Sequence, residues 1–219
     1  MKFKFSTVQY KYLRFVCQKT ILGETEGLVE VSEIRYTYVG LFAPSFLINS
    51  PRSYPSYRIN ITKTPSTKLD FPPAAMTADT TTINGLTYVA SASSSAANSF
   101  DWPVWAAFNK QTTHTTPFGW ATDGGLYDGS NGSYIGQNST TIQGSTLSYS
   151  IVGEWIQLDL PYEIVASELV IHAAKPAGIP DEVTVVGSIN GGSTWEICGS
   201  QSSMSIGSLG SKVVQLNAK

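Results

Sequence analysis

The residues best suited to chemistry are few and scattered. His114 and His172 are the chain's two imidazoles, and they stand far apart in sequence. No Gly-x-Ser-x-Gly elbow, His-Glu-x-x-His helix or glycine-rich phosphate loop accompanies them. Asp159, Asp181 and Glu182 read as solvated strand or turn carboxylates, not as the paired acids of a glycosidase. The expectation is a protein that is not an enzyme. Cys17 and Cys198 are too few for a disulfide framework, so they form either one bridge or two buried thiols. Without a Cys-x-x-Cys pair or a Cys/His cluster there is no structural zinc site to expect.

The five tryptophans suggest a different chemistry, the stacking of sugar rings on aromatic faces. Trp155 and Trp195 lie in strand-like runs and read as core. Trp102, between Asp101 and Pro103, is the candidate for an exposed platform, with His114, Tyr127 and Tyr134 in neighbouring loops. Ordinary loop packing is the alternative for all four.

Strands must position these groups, because the dominant hydrophobic period is two. Leu13, Phe15 and Cys17 share one face of a run; Ile156, Leu158 and Leu160 share another, with Gln157 and Asp159 opposite. Further runs rich in β-branched and aromatic residues fall at 28–38, 169–172, 183–186, 195–198 and 212–216. Asn190-Gly191-Gly192 signals a hairpin, Pro161 reads as a strand end, and one short turn fits Val104–Phe108. Residues 41–70, with four prolines, read as an extended linker; residues 121–150 read as a long Gly-, Ser- and Tyr-rich loop.

Composition narrows the partners. Charged residues are only 14% of the 219, against about 25% in an average domain. A net charge of −2 without a basic run excludes the positive field that nucleic-acid binding needs. Charges interrupt every apolar run of the N-terminal segment, so no signal peptide is expected, and no run is long enough to span a membrane. The sequons at Asn60, Asn131 and Asn138 read as chance in a Ser/Thr-rich chain.

Five pieces of the chain, taken in order, resemble the discoidin (coagulation factor 5/8 type C) family, in the form seen in large algal DNA virus and phage fibre proteins. They are Phe71-Pro72-Pro73-Ala74-Ala75-Met76-Thr77, Tyr88-Val89-Ala90-Ser91-Ala92-Ser93-Ser94, and Trp105-Ala106-Ala107-Phe108-Asn109-Lys110 before Trp120; then Gly153-Glu154-Trp155-Ile156-Gln157-Leu158-Asp159-Leu160-Pro161 and Val185-Val186-Gly187-Ser188-Ile189-Asn190-Gly191-Gly192-Ser193-Thr194-Trp195. The resemblance implies an all-β, discoidin-like jelly-roll sandwich over residues 71–219, with Trp105 and Trp120 supporting loops. The family's closing strands are matched by Tyr10-Lys11-Tyr12-Leu13-Arg14-Phe15 and Ser32-Glu33-Ile34-Arg35-Tyr36, at the opposite end of the chain. Residues 1–40 are therefore expected to form an N-terminal hairpin. It either closes a circularly permuted sandwich or reaches into a neighbouring subunit.

The resemblance also implies a structural cation held by Asn109, by Thr112 or Thr113, and by Glu33, a set that would suit calcium. Asn109 stands where the family carries Asp, which removes a charge. Glu33 shares a face with Val29 and Val31, and a carboxylate turned inward needs a cation or a strong donor. The alternative is an ion pair with Arg14 or Arg35. The implied function is a non-enzymatic virion structural or interaction protein, a minor capsid, decoration or fibre component. Its partners would be other virion proteins or copies of itself. The alternative is a carbohydrate-binding adhesion module for cell-surface glycans.

Overall fold

The computed structural model describes residues 8–21, 27–40, 67–96, 101–113, 117–144, 147–173, 178–207 and 210–216. Among these the chain runs through β1 (Tyr10–Thr20), β2 (Glu30–Gly40), β3 (Thr67–Phe71), β4 (Thr80–Ile83) and β5 (Leu86–Ala92). A 3-10 turn follows at Val104–Phe108, where the sequence places one. Then come β6 (Trp120–Ala121), β7 (Ser139–Ile142), β8 (Tyr149–Val152), β9 (Glu154–Ile164), β10 (Ala166–Ala173), β11 (Pro180–Ser188), β12 (Glu196–Gln201) and β13 (Ser211–Gln215). No helix among the described residues is long and apolar enough to cross a membrane.

Two antiparallel sheets make a sandwich. One has the order β12-β11-β1-β9-β5-β4; the other is β13-β10-β2-β3, with β6 also paired to β2. The core between them takes Leu13, Phe15 and Cys17 from β1 and Ile156, Leu158 and Leu160 from β9. Facing these are Ile34 and Tyr36 from β2, Leu169 and Ile171 from β10 and Val214 from β13. Each large apolar side chain removed from water here contributes roughly 1.5–3 kcal/mol. The period-two alternation of β1 is thus met on both sides, because its outward residues are covered as well. Val16 joins Val186, Trp195, Ile142 and Ile151 in a second cluster beneath the two-stranded ribbon β7–β8.

The N-terminal strands do not form a hairpin. β1 lies between β11 and β9, whereas β2 lies between β10 and β3 in the other sheet. Their apolar faces meet across the sandwich, and burial between layers places them more strongly than nearness in sequence. The two flanks of the connection are tied to adjacent residues: Ile21 N donates to Ile179 O, and Glu30 N donates to Gly178 O, each at 2.9 Å. The strands complete the sandwich of their own chain.

Three further boundaries differ from expectation. The end of the segment read as linker is β3, which pairs with β2 from Gly40↔Thr67 to Tyr36↔Phe71; residues 41–66 lie outside the described residues. Pro161 does not end its strand. β9 continues to Ile164, but the ladder to β1 slips between Tyr12↔Asp159 and Tyr10↔Ile164, because proline has no N–H to give. The long loop at 121–150 contains β7 and leads into β8. The Asn190-Gly191-Gly192 turn does join β11 to β12, with both glycines at positive φ (74° and 79°).

Candidate functional site

Three groups of polar side chains emerge from this framework. The first surrounds Glu33, whose side chain is fully buried on β2. Neither carboxylate oxygen has a hydrogen bond of full geometry, though the backbone N–H of Lys110 approaches as a donor. Arg35 Nε approaches Oε1 at 3.5 Å, an ion pair without hydrogen-bond geometry. Arg35 Nη1 reaches Asp70 Oδ2 at 3.6 Å, and its Nη2 donates to His172 Nε2 at 2.8 Å. Because guanidinium is only a donor, this ring nitrogen is the acceptor and the imidazole is neutral. Burial, then the charge of Arg35, holds His172 below its ordinary pKa.

Lys110 completes this group. Its backbone is left-handed (φ 65°), which is costly for a residue with a Cβ, and Asn109 Oδ1 braces it by accepting from Gln111 N at 2.8 Å. The Lys110 ammonium nitrogen is buried, and its charge acts on Glu33. Burial pushes Glu33 up to about 8 against the opposing pull of Lys110 and Arg35, and burial lowers Lys110.

The expected cation set does not fit calcium. Two cationic side chains already face the one buried carboxylate, and Asn109 turns its unpartnered Nδ2 donor, not an oxygen, into the buried space. Thr112 is half-buried and Thr113 exposed. Among the described residues no cluster of His, Cys, Asp and Glu could hold a metal ion. Of the two ion-pair alternatives read from the sequence, Arg35 lies beside Glu33 and Arg14 does not, being stacked on Trp155 and Trp195; Lys110, one residue beyond Asn109, was missed.

The second group is centred on Glu154. Ser93 and Ser94 hydroxyls donate to Oε2, each at 2.6 Å, while Tyr134 OH (2.6 Å) and Asn138 Nδ2 (2.8 Å) donate to Oε1. Burial would raise this carboxyl, but the four donors outweigh it and hold its pKa below the ordinary value. Gly153 admits the close approach: a Cβ there would lie 2.3 Å from Cys17 O. Two of the five sequence pieces meet at this carboxylate, the serines from one and Gly153-Glu154 from the other. A third is tied in through Trp120, whose Nε1 donates to Ser94 O at 2.9 Å.

The aromatic candidates separate. Tyr127 is buried (2% exposed); its hydroxyl donates to Cys17 O at 2.9 Å and accepts from Glu154 N, so no sugar can stack on its ring. Tyr134 lies 5.2 Å from it, centroid to centroid, with its hydroxyl engaged by Glu154 and by Asn138 N. Both tyrosines anchor the loop to the sheet. Trp102 is half-buried and packs on Phe118 at 5.3 Å. His114 lies outside the described residues. Cys17 and Cys198 are buried free thiols, and burial pushes Cys17 up to about 12.

The third group lies on the outer face of the six-stranded sheet. The Arg14 guanidinium stacks over Trp155 (3.7 Å) and Trp195 (4.3 Å). Its Nε and Nη2 donate to Gln157 Oε1 (3.1 and 2.8 Å), and Nη1 donates to Thr140 Oγ1 of the ribbon (3.0 Å). Gln157 Nε2 then donates to Asp159 Oδ1 at 2.6 Å. Burial raises Asp159, with Gln157, Arg14 and Lys11 opposing. Asp159 borders an open groove of about 400 Å³ at the slip in the β1–β9 ladder, between Tyr12, Thr87, Val89 and Pro161. The groove thus combines an aromatic wall, a hydroxyl and a carboxylate fixed from behind.

Comparison with protein-family models, with curated proteins and with solved structures finds no match to this chain.

Proposed function

We propose that this chain is a non-enzymatic structural and interaction protein of a virus particle, a minor capsid, decoration or fibre component built on a discoidin-like sandwich. Its partners are other virion proteins or copies of itself. The observation that carries this reading is the internal use of its polar side chains. Glu154 ties two loops to a sheet, Arg14 fixes a ribbon over the other face of that sheet, and Glu33 faces Lys110 and Arg35. Such groups rigidify a scaffold and leave its surfaces for contact. The interior placement of β1 and β2 supports the view that residues 1–40 are the closing strands of a permuted discoidin-like sandwich. Antibodies against the purified chain test the role. The chain is expected to co-sediment with gradient-purified particles through a salt wash; its absence from them overturns the proposal.

A second reading, a carbohydrate-binding module for cell-surface glycans, draws on the groove at Tyr12, Thr87 and Asp159 and no longer on the loop aromatics. A glycan array probed with the full chain and with Asp159→Asn separates the two. Retention lost in the variant favours the glycan module, and retention of no glycan removes it.

A further inference from the structure

Asparagine followed by glycine carries a chemistry of its own. The glycine nitrogen can attack the asparagine side-chain carbonyl carbon, because no Cβ obstructs the approach. The chain has three such pairs: Asn84-Gly85, Asn131-Gly132 and Asn190-Gly191. The structure holds two of them shut. Asn131 Oδ1 accepts from Ser133 N at 2.8 Å, and Gly132 N, the attacking atom, donates to Asp128 O at 2.6 Å. Gly132 is also packed in place, since a Cβ there would lie 2.1 Å from Thr20 O. Asn190 is clamped at both ends of its amide. Its Oδ1 accepts from Ser188 Oγ (2.9 Å) and from Thr194 N (3.0 Å), and its Nδ2 donates to Thr194 Oγ1 (2.8 Å). Asn84 has none of these restraints. It is exposed with Gly85 at the tip of the β4–β5 hairpin, and neither its amide nor Gly85 N has a hydrogen-bond partner among the described residues. A Cβ on Gly85 would meet nothing within 4 Å, so the turn has room to move. The turn must loosen for a ring to close, and Asn84 starts from a left-handed φ of 53°, which is costly for a residue with a Cβ.

We infer that Asn84 is a site of spontaneous modification, converted in the folded chain to aspartate and isoaspartate, while Asn131 and Asn190 are protected. The reaction needs only water. Gly85 N bonds to Asn84 Cγ, and the side-chain nitrogen leaves as ammonia with the proton that Gly85 N gives up. A cyclic imide remains, and water opens it. Cleavage at Cγ gives aspartate; cleavage at the backbone carbonyl gives isoaspartate. Either product adds one negative charge to a chain of net charge −2. The charge falls at the rim of the open groove, which Gly85 borders together with Lys11 and Asp159. Isoaspartate also lengthens the main chain of the turn by one methylene between the paired residues Ile83 and Leu86. None of this depends on the virion role.

The test is incubation of the full chain at mildly alkaline pH, once folded and once in denaturing urea, with peptide mapping by mass spectrometry to follow each Asn-Gly pair over time. In the folded chain Asn84 is expected to convert roughly tenfold or more faster than Asn131 and Asn190, the factor that two or more hydrogen bonds to be broken imply. In urea those bonds are gone, and the three pairs should convert at similar rates. An Asn84 that stays intact in the folded chain overturns the inference. So does a folded chain in which Asn131 or Asn190 converts as fast as Asn84. A lead for Asn84 that is equally large in urea overturns it too, because the fold would then play no part in the selection.

Discussion

Replacing Glu154 by alanine deletes the one acceptor on which four side-chain donors converge. The carboxylate is fully buried, and its hydrogen bonds run from 2.6 to 2.8 Å. A hydrogen bond to a charged group contributes about 1.5–3 kcal/mol net, but four donors to one carboxylate do not add. After the deletion, the Ser93, Ser94 and Tyr134 hydroxyls can rotate toward other acceptors, whereas the Asn138 amide can only donate. The loss is therefore set near the cost of breaking a buried network, about 3–5 kcal/mol. Glu154→Gln keeps the volume and one acceptor for Asn138 and Tyr134, and the serine hydroxyls can accept from the new amide. Its cost is about 1–2 kcal/mol. Urea unfolding followed by tryptophan fluorescence reads both as midpoint shifts at constant slope; with a slope of about 2–3 kcal/mol/M the alanine variant shifts by roughly 1–2 M.

The acid limb gives a second reading of the same group. The folded pKa of Glu154 lies below its ordinary value of 4.5. Its contribution is thus present above that value and is lost as pH falls through the lower, folded one. Wild type should show that loss and Glu154→Gln should not. Two variants within about 0.5 kcal/mol of wild type, or a glutamine costlier than alanine, would refute the account of this carboxylate as the tie between loop and sheet.

Glu33 titrates in the opposite sense. With its folded pKa raised to about 8, its contribution is present below the unfolded value near 4.5 and lost as pH rises toward 8. Wild-type stability should fall over that window, and Glu33→Gln should flatten the fall; equal slopes for the two proteins in urea melts at pH 5 and pH 8 would contradict it. Arg14→Lys keeps the charge but loses the planar stack on Trp155 and Trp195 and the paired donors to Gln157. The expected loss is about 1–3 kcal/mol, with a change in tryptophan emission; a lysine variant as stable as wild type, with the same spectrum, counts against the stack.

The strands that carry the core were legible because alternation is local. Leu13, Phe15 and Cys17, and Ile156, Leu158 and Leu160, announce one buried face each, and both sets are buried in the core. Val104–Phe108 and the Asn190-Gly191-Gly192 turn were legible for the same reason. Short polar strands were not. β7, with sequence Ser-Thr-Thr-Ile, is a strand because Thr140 and Ile142 find cover on the sheet below, which no window of sequence contains.

The sequence by itself determined that this chain is all-β, which residues face a core and where several turns fall, since side-chain period and turn chemistry act between near neighbours. Tertiary structure alone decided the partners. β1 and β2 part into separate sheets, Arg14 meets Trp155 and Trp195, and Ser93, Tyr134 and Asn138 converge on Glu154. Lys110 faces Glu33 from the far end of a turn that the sequence located but could not aim. Each of these contacts joins residues far apart along the chain, and they form only where burial between layers outweighs the entropy of closing the intervening loops.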